Sequence, residues 1–347
     1  MRGDRSRRLT ILSETEKLAL YGRPDFDDFQ RAEFFAMTNA ERSLALRRNG
    51  LEAQVYCLLQ IGYFKAKQAF FRFSLKDVPP EDIAFLMQRY FPARTLVAQR
   101  LSDNEYYAPR KEIAALFGYR LWSDGDLPVL LEKATLLART DVTPAFLLTE
   151  LMSFLIGRRI VRPGYTTLQI IIRDSLTAER QRLEQRVEAA LDEMARATLQ
   201  KLLVREDTLS ELAAVKQDAK HFRHRMMVME RQKRATLVPL YAIAKALLAN
   251  LDISQRNIDY YASLANYYTI YDLRRLKPGQ TYLYLLCYAW QRYRQLSDNL
   301  IDALGYHMKQ LEDDTKETAN KQAAKAQTQQ QQAAPRVGQL LLLYVDD

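Results

Sequence analysis

Four basic clusters carry the chemistry that is easiest to name in this chain. Arg47 and Arg48 stand together just ahead of Asn49-Gly50, and Arg110 and Lys111 open the segment RKEIAALFGYR. Arg158, Arg159 and Arg162 precede Pro163-Gly164 and the pair Thr166-Thr167, while Arg292 and Arg294 sit in QRYR. Guanidinium forks and ammonium groups suit phosphate oxygens. The 158–168 stretch is the most compact of these. Its arginines, its turn and a threonine at an expected helix start could aim hydroxyls, backbone N–H groups and a helix N-terminus at one anion. A basic interhelical loop with a threonine cap uses the same residues equally well.

No arrangement for covalent or metal chemistry accompanies them. Asp25, Asp27 and Asp28 read as the acidic first turn of a helix rather than as metal ligands. His221, His224 and His307 have no His or Cys neighbours at closed zinc-site spacing. Cys57 and Cys287 each lie in an apolar helical run, which fits core thiols in a reducing compartment better than a disulfide. A glycine-rich phosphate loop and a nucleophile–base pair are both missing from the sequence. No catalytic residue, metal or cofactor is expected in this chain.

The elements that must position the basic clusters are helical. Glycine and proline number 11 each among 347 residues, and 48% of the residues are hydrophobic, so the expected fold is all-α with ample core. The organising stretch is Leu44 to Phe64. After the breaker Asn49-Gly50, Leu51, Val55, Leu58, Leu59 and Gly62 recur at the spacing of one helix face, and Gly62 would admit a close neighbour. Ser13 and Thr38 begin capping boxes. Lys65, Lys67 and Arg72 among Phe70, Phe71 and Phe73 fit either a nucleic-acid surface or a core. Phe29, Phe34 and Phe35 suggest an aromatic-lined helix. Phe91-Pro92-Ala93-Arg94 leads to an expected short helix through Leu101, followed by one that opens on Arg110 and Lys111. Two such helices are compatible with a helix-turn-helix-like reader and with an ordinary helical domain.

From about residue 170 the pattern lengthens. Residues 170–205 read as one charged helix with a coiled-coil-like seam through Leu183, Val187, Ala190, Met194 and Ala197. Residues 221–234 form a basic amphipathic segment that could meet DNA, a partner or solvent. Residues 313–335 are glutamine- and alanine-rich, a linker or weak helix. The 51 Lys and Arg against 42 Asp and Glu leave a formal charge of +9, which favours a polyanionic partner. No run reaches the ~18 apolar residues of a membrane helix, and no apolar stretch follows the basic MRGDRSRR start. A cytoplasmic protein with no membrane association is expected.

The order of several short segments resembles the N-terminal region of transposases of the Tn-three family, the enzymes of replicative, cointegrate-forming transposons. The segments are Ile11-Leu12-Ser13-Glu14-Thr15-Glu16, the Arg47-Arg48 turn with its apolar helix, Pro163-Gly164-Tyr165-Thr166-Thr167-Leu168, and Gln291-Arg292-Tyr293-Arg294 with Ser297-Asp298-Asn299-Leu300-Ile301. The terminal Tyr344-Val345-Asp346-Asp347 matches the metal-binding tetrad of reverse transcriptases, but four residues without a polymerase palm are a chance match. The family resemblance implies binding to double-stranded DNA at the terminal inverted repeats, with homodimerisation as a further possibility. It also implies that the RNase-H-like Asp-Asp-Glu domain, which would use Mg2+ in the full-length enzyme, lies C-terminal to the matching region and outside this chain.

On this basis the sequence divides into a basic arm (1–10), small helical DNA-binding modules (11–168), a longer-helix region (169–312) and a low-complexity segment leading to a following part (313–347). The expected DNA contacts are Arg47, Arg48, Arg110, Lys111, Arg158, Arg159, Arg162 and Thr166, with Arg292 and Arg294 behind them. The alternative is a helical scaffold or oligomerisation protein whose positive charge is incidental.

Overall fold

A computed structural model describes residues 9–97, 101–204, 211–218 and 224–345. Among these residues the fold is all-α: fifteen α-helices and no sheet, with a lone bridge between Arg120 and Ile160 as the β-type pairing. The chain forms two compact units. The first comprises Met1–Leu183 with Ile253–Asn257, and the second Glu184–Asp252 with Ile258–Asp347.

The first unit opens with α1 (Glu14–Tyr21), α2 (Asp28–Phe34) and α3 (Asn39–Leu46), each begun by a capping box. Ser13, Asp27 and Thr38 accept from the backbone N–H of Glu16, Gln30 and Glu41, whose side chains reach back in turn. Helix α4 (Leu51–Lys67) starts at Gly50, whose φ of 86° is one that side chains resist, and stops at left-handed Gln68. Of the apolar positions read from sequence, Val55, Leu58 and Leu59 are at most 1% exposed and Gly62 is buried, while Leu51 is half-buried; every residue from Val55 to Phe64 is buried, so this part of the helix is enclosed on all sides. At Gly62 the close neighbour is an aromatic ring, since a Cβ there would lie 2.3 Å from the ring of Phe35.

Around α4 pack α2, α3, α5 (Pro80–Tyr90) and α6 (Asp103–Leu116). Inside that core Arg31 meets the fully buried Asp82 at 2.9 Å; Tyr63 donates to the same carboxylate, and Arg31 also donates to the Phe26 carbonyl. A second core joins α7 (Leu127–Thr140), α8 (Pro144–Gly157) and the start of α9 (Tyr165–Ala190). The end of α7 is held by Asn257, whose amide nitrogen donates to the Ala138 and Arg139 carbonyls while its oxygen accepts from Val142 N–H.

The second unit contains α10 (Glu193–Lys201), α11 (Glu211–Lys216), α12 (His224–Leu248), α13 (Gln255–Tyr267) from Ile258 onward, α14 (Ile270–Arg275) and α15 (Pro278–Val345). Helices α12 and α15 run antiparallel: Arg234 bonds Ser297 and Tyr293, and Tyr241 stacks against both Trp290 and Tyr293.

Several expectations are corrected. Residues 91–97 are not helical; α6 starts at Asp103, because Ser102 and Glu105 make a capping box, and it runs on through Pro109. The single helix expected over 170–205 is broken between α9 and α10, where Asp192 accepts from Ala195 N–H as a new N-cap. The expected seam therefore fails past Val187. Met194 is 78% exposed, and Leu191, Ala195 and Leu199 are buried in place of Ala190 and Met194. Phe29 is 79% exposed, so only Phe34 and Phe35 of that aromatic trio face the core. Of the two readings of residues 313–335, linker or weak helix, the helix is the one seen: the segment is helical and exposed, as part of α15. The histidine at 221 and the aspartates at 346 and 347 lie outside the described residues.

Candidate nucleic-acid interface

Helix α6 is the element that gathers the candidate cations of the first unit. Arg47 and Arg48 end α3 immediately before the Gly50 turn, and both reach Glu112 of α6, at 3.1 and 2.5 Å. The turn itself is held by Gln54, whose amide donates to the Leu46 and Arg48 carbonyls. Arg110 and Lys111 precede Glu112 in mid-helix rather than at a helix N-terminus. The Arg110 guanidinium lies 4.5 Å from the Tyr107 ring centre, half-buried against it, while Lys111 is exposed.

The segments after α6 and after α8 are stitched together. Arg120 N–H donates to the Arg159 carbonyl and Val161 N–H donates to the Arg120 carbonyl, both at 2.9 Å. Arg159 has a φ of 52°, a left-handed conformation that costs a side-chain-bearing residue, while Gly118 takes a φ of 72° freely. Its side chain passes Gly118 and donates to the Phe117 carbonyl at 3.4 Å. The turn carrying Arg158, Arg159 and Arg162 thus abuts the C-terminal end of the helix that holds Arg47, Arg48, Arg110 and Lys111.

Not every candidate in this turn faces solvent. Arg158 is exposed and lies over the Phe154 ring at 4.6 Å. Arg162 turns inward, bonding the Leu20 carbonyl and covering the Tyr21 ring at 5.0 Å. Burial lowers its pKa from the usual arginine value, and burial together with Arg162 does the same to Lys67. Lys67 in turn donates to the Ala19 and Gly22 carbonyls. The two cations satisfy carbonyls at and just beyond the C-terminus of α1, where a helix concentrates partial negative charge. Lys65 is similarly engaged, on the Ala36 carbonyl and Glu41. Thr166 is exposed in the first turn of α9, where the Gly164 carbonyl takes the N–H groups of Thr167 and Leu168.

The remaining two candidates belong to the second unit. Arg292 is 5% exposed, and its guanidinium is committed to the Val215 and Gln217 carbonyls, Asp218 and Gln295. It fastens the segment after α11, so a phosphate contact through Arg292 does not fit this conformation. Arg294 is exposed and stacks over Trp290 at 5.5 Å.

Of the candidate cations in the first unit, those open to a polyanion are therefore Arg47, Lys111, Arg158 and Arg159, and Thr166 is exposed as well. Glu112 is the partner that sequence reasoning missed. It adjoins Lys111 in sequence, but its pairing with Arg47 and Arg48 spans more than sixty residues and has no local signal. Such a surface can bind phosphate by charge and hydrogen bonding. Among the described residues, no three His, Cys, Asp or Glu side chains come together to hold a metal ion, and no helix is long and apolar enough to cross a membrane.

Residues 11–174 match a family model described as a domain of unknown function, DUF4158. The match ends within α9, close to the limit of the first unit at Leu183. No curated protein matches the chain.

Proposed function

We propose that this chain grips double-stranded DNA at the ends of a mobile element, as the N-terminal portion of a transposase of the Tn-three type. The observation that supports this most is that exposed Arg47, Lys111, Arg158 and Arg159 lie on α6, on the turn ion-paired to it and on the turn hydrogen-bonded to the segment that follows it, all within one unit. The excess of basic residues over the whole chain points the same way. On this reading the residues of this chain bind and orient the duplex. Strand chemistry with a divalent metal belongs to a separate domain of the transposase, and no residue here is assigned to it.

Fluorescence anisotropy with the element's terminal inverted repeat and a scrambled duplex, over a salt series, tests the proposal. Preferential binding to the repeat, weakening steeply with salt, is expected. Arg47→Ala and Arg159→Ala should each flatten the log–log salt slope by roughly one unit. Equal affinity for the two duplexes would remove end recognition, and no binding at low salt would remove DNA altogether.

A further inference from the structure

Ala303 is the last residue that α15 buries among the described residues, yet the helix continues to Val345. Along the emerging part runs a narrow apolar stripe: Ile301, Leu304, Met308 and Leu311, exposed by 66, 57, 57 and 66%. The steps are three, four and three, the heptad spacing that keeps one seam facing a partner helix as two helices supercoil. This is a different face from the one carrying Leu296 and Ala303 into the unit's own core. The positions turned away from the stripe are mostly polar, among them Asp302, Lys309, Gln310 and Asp313.

We propose that this stripe is a self-association seam, on which α15 pairs with α15 of a second copy as a parallel two-stranded coiled coil. The repeat itself argues for an identical helix, because a heptad stripe is complementary to its own copy in register. Leucine occupies both second positions, 304 and 311, with isoleucine and methionine at the first positions, 301 and 308. A β-branched residue at the first position with leucine at the second, as at 301 and 304, favours two parallel strands. In parallel register the seam continues through Thr315, Thr318 and Gln322. An antiparallel pair would set Ile301 against Leu311 and Leu304 against Met308 and end after four layers.

Four side chains at these exposures supply about 400 Å² of apolar surface per helix, or roughly 800 Å² in the pair, below the standard size of a permanent interface. The polar layers that follow add contact without much apolar gain. The dimer is therefore reversible and dependent on concentration.

Sedimentation velocity of the whole chain without DNA, over a concentration series, should show the mass rising from one chain to two. Leu304→Glu combined with Leu311→Glu should stay at one chain throughout with the same melting of the folded units, because both side chains are exposed. Met308→Cys should give a covalent dimer on mild oxidation, whereas Asp313→Cys, on the outer face, should not. Cys57 and Cys287 are buried and leave the introduced thiol as the reactive one. A single chain at the highest concentration overturns the proposal. So does a dimer that survives the double glutamate variant, or equal cross-linking from 308 and 313. The stripe contains none of the candidate DNA-contact cations, so either this inference or the DNA reading can fail while the other stands.

Discussion

At Gly62 a hydrogen atom in place of a methyl group lets the Phe35 ring lie on α4. Gly62→Ala should destabilise the first unit by about 1–3 kcal/mol through overpacking, read as a lower urea midpoint. The buried pair nearby is more sensitive. Asp82→Ala would remove the buried carboxylate partner of Arg31 and leave its guanidinium to the exposed Asp28 and the Phe26 carbonyl, and about 3 kcal/mol of destabilisation is expected in the same measurement. Burial pushes the Cys57 thiol up to about 12 and raises Cys287 as well. Because burial disfavours the thiolate, raising the pH from 7 to 9 should leave both thiols unreactive to a disulfide reagent in the native protein. In denaturant both should react, faster with each step in pH as the unfolded thiols ionise near ~8.5. What the sequence concealed at this scale is pairing. Arg162, Lys67 and Arg292 look like surface cations by type, but each caps carbonyls that are distant in sequence, which only the fold brings near.

Among the elements, those with a local signature were legible: the capping boxes at Ser13 and Thr38, the Gly50 breaker and the apolar residues of α4. Helix α6 was misjudged because Pro109 beside two basic residues imitates the first turn of a helix. The true start is Ser102. Ser102→Ala should cost about 1 kcal/mol and fray the first turn of α6, visible as faster amide exchange at residues 103–106. The 170–205 stretch was misjudged for the opposite reason. Its charged residues keep helical spacing across the break at Asp192, and periodicity alone does not record a change of direction. The candidate contacts suffer from the same limit. Basic residues were legible as a set, but their sorting into exposed (Arg47, Lys111, Arg158, Arg159) and committed (Arg162, Arg292) depends on which helix ends lie beside them.

For the molecule as a whole, helical class was written in composition; the change of pattern read near residue 170 and the division between the two units at Leu183 both fall inside α9, where no break in the helix marks them. The long distal part of α15 has a consequence of its own. Beyond Ala303 its backbone bonds face solvent, so its helicity rests on local propensity and on whatever pairs with the stripe. A helix held in this way melts gradually. The weak point is Pro335, which lacks the N–H that would bond one turn back. Hydrogen exchange should therefore show a gradient along α15, slow through the buried segment that ends at Ala303 and fastest around residues 331–335. Warming the protein should remove this distal helicity first, as a sloping loss of circular dichroism ahead of any cooperative transition. A chain with two compact units would thus carry a thermally softened arm, stiffened when a second copy lies along it.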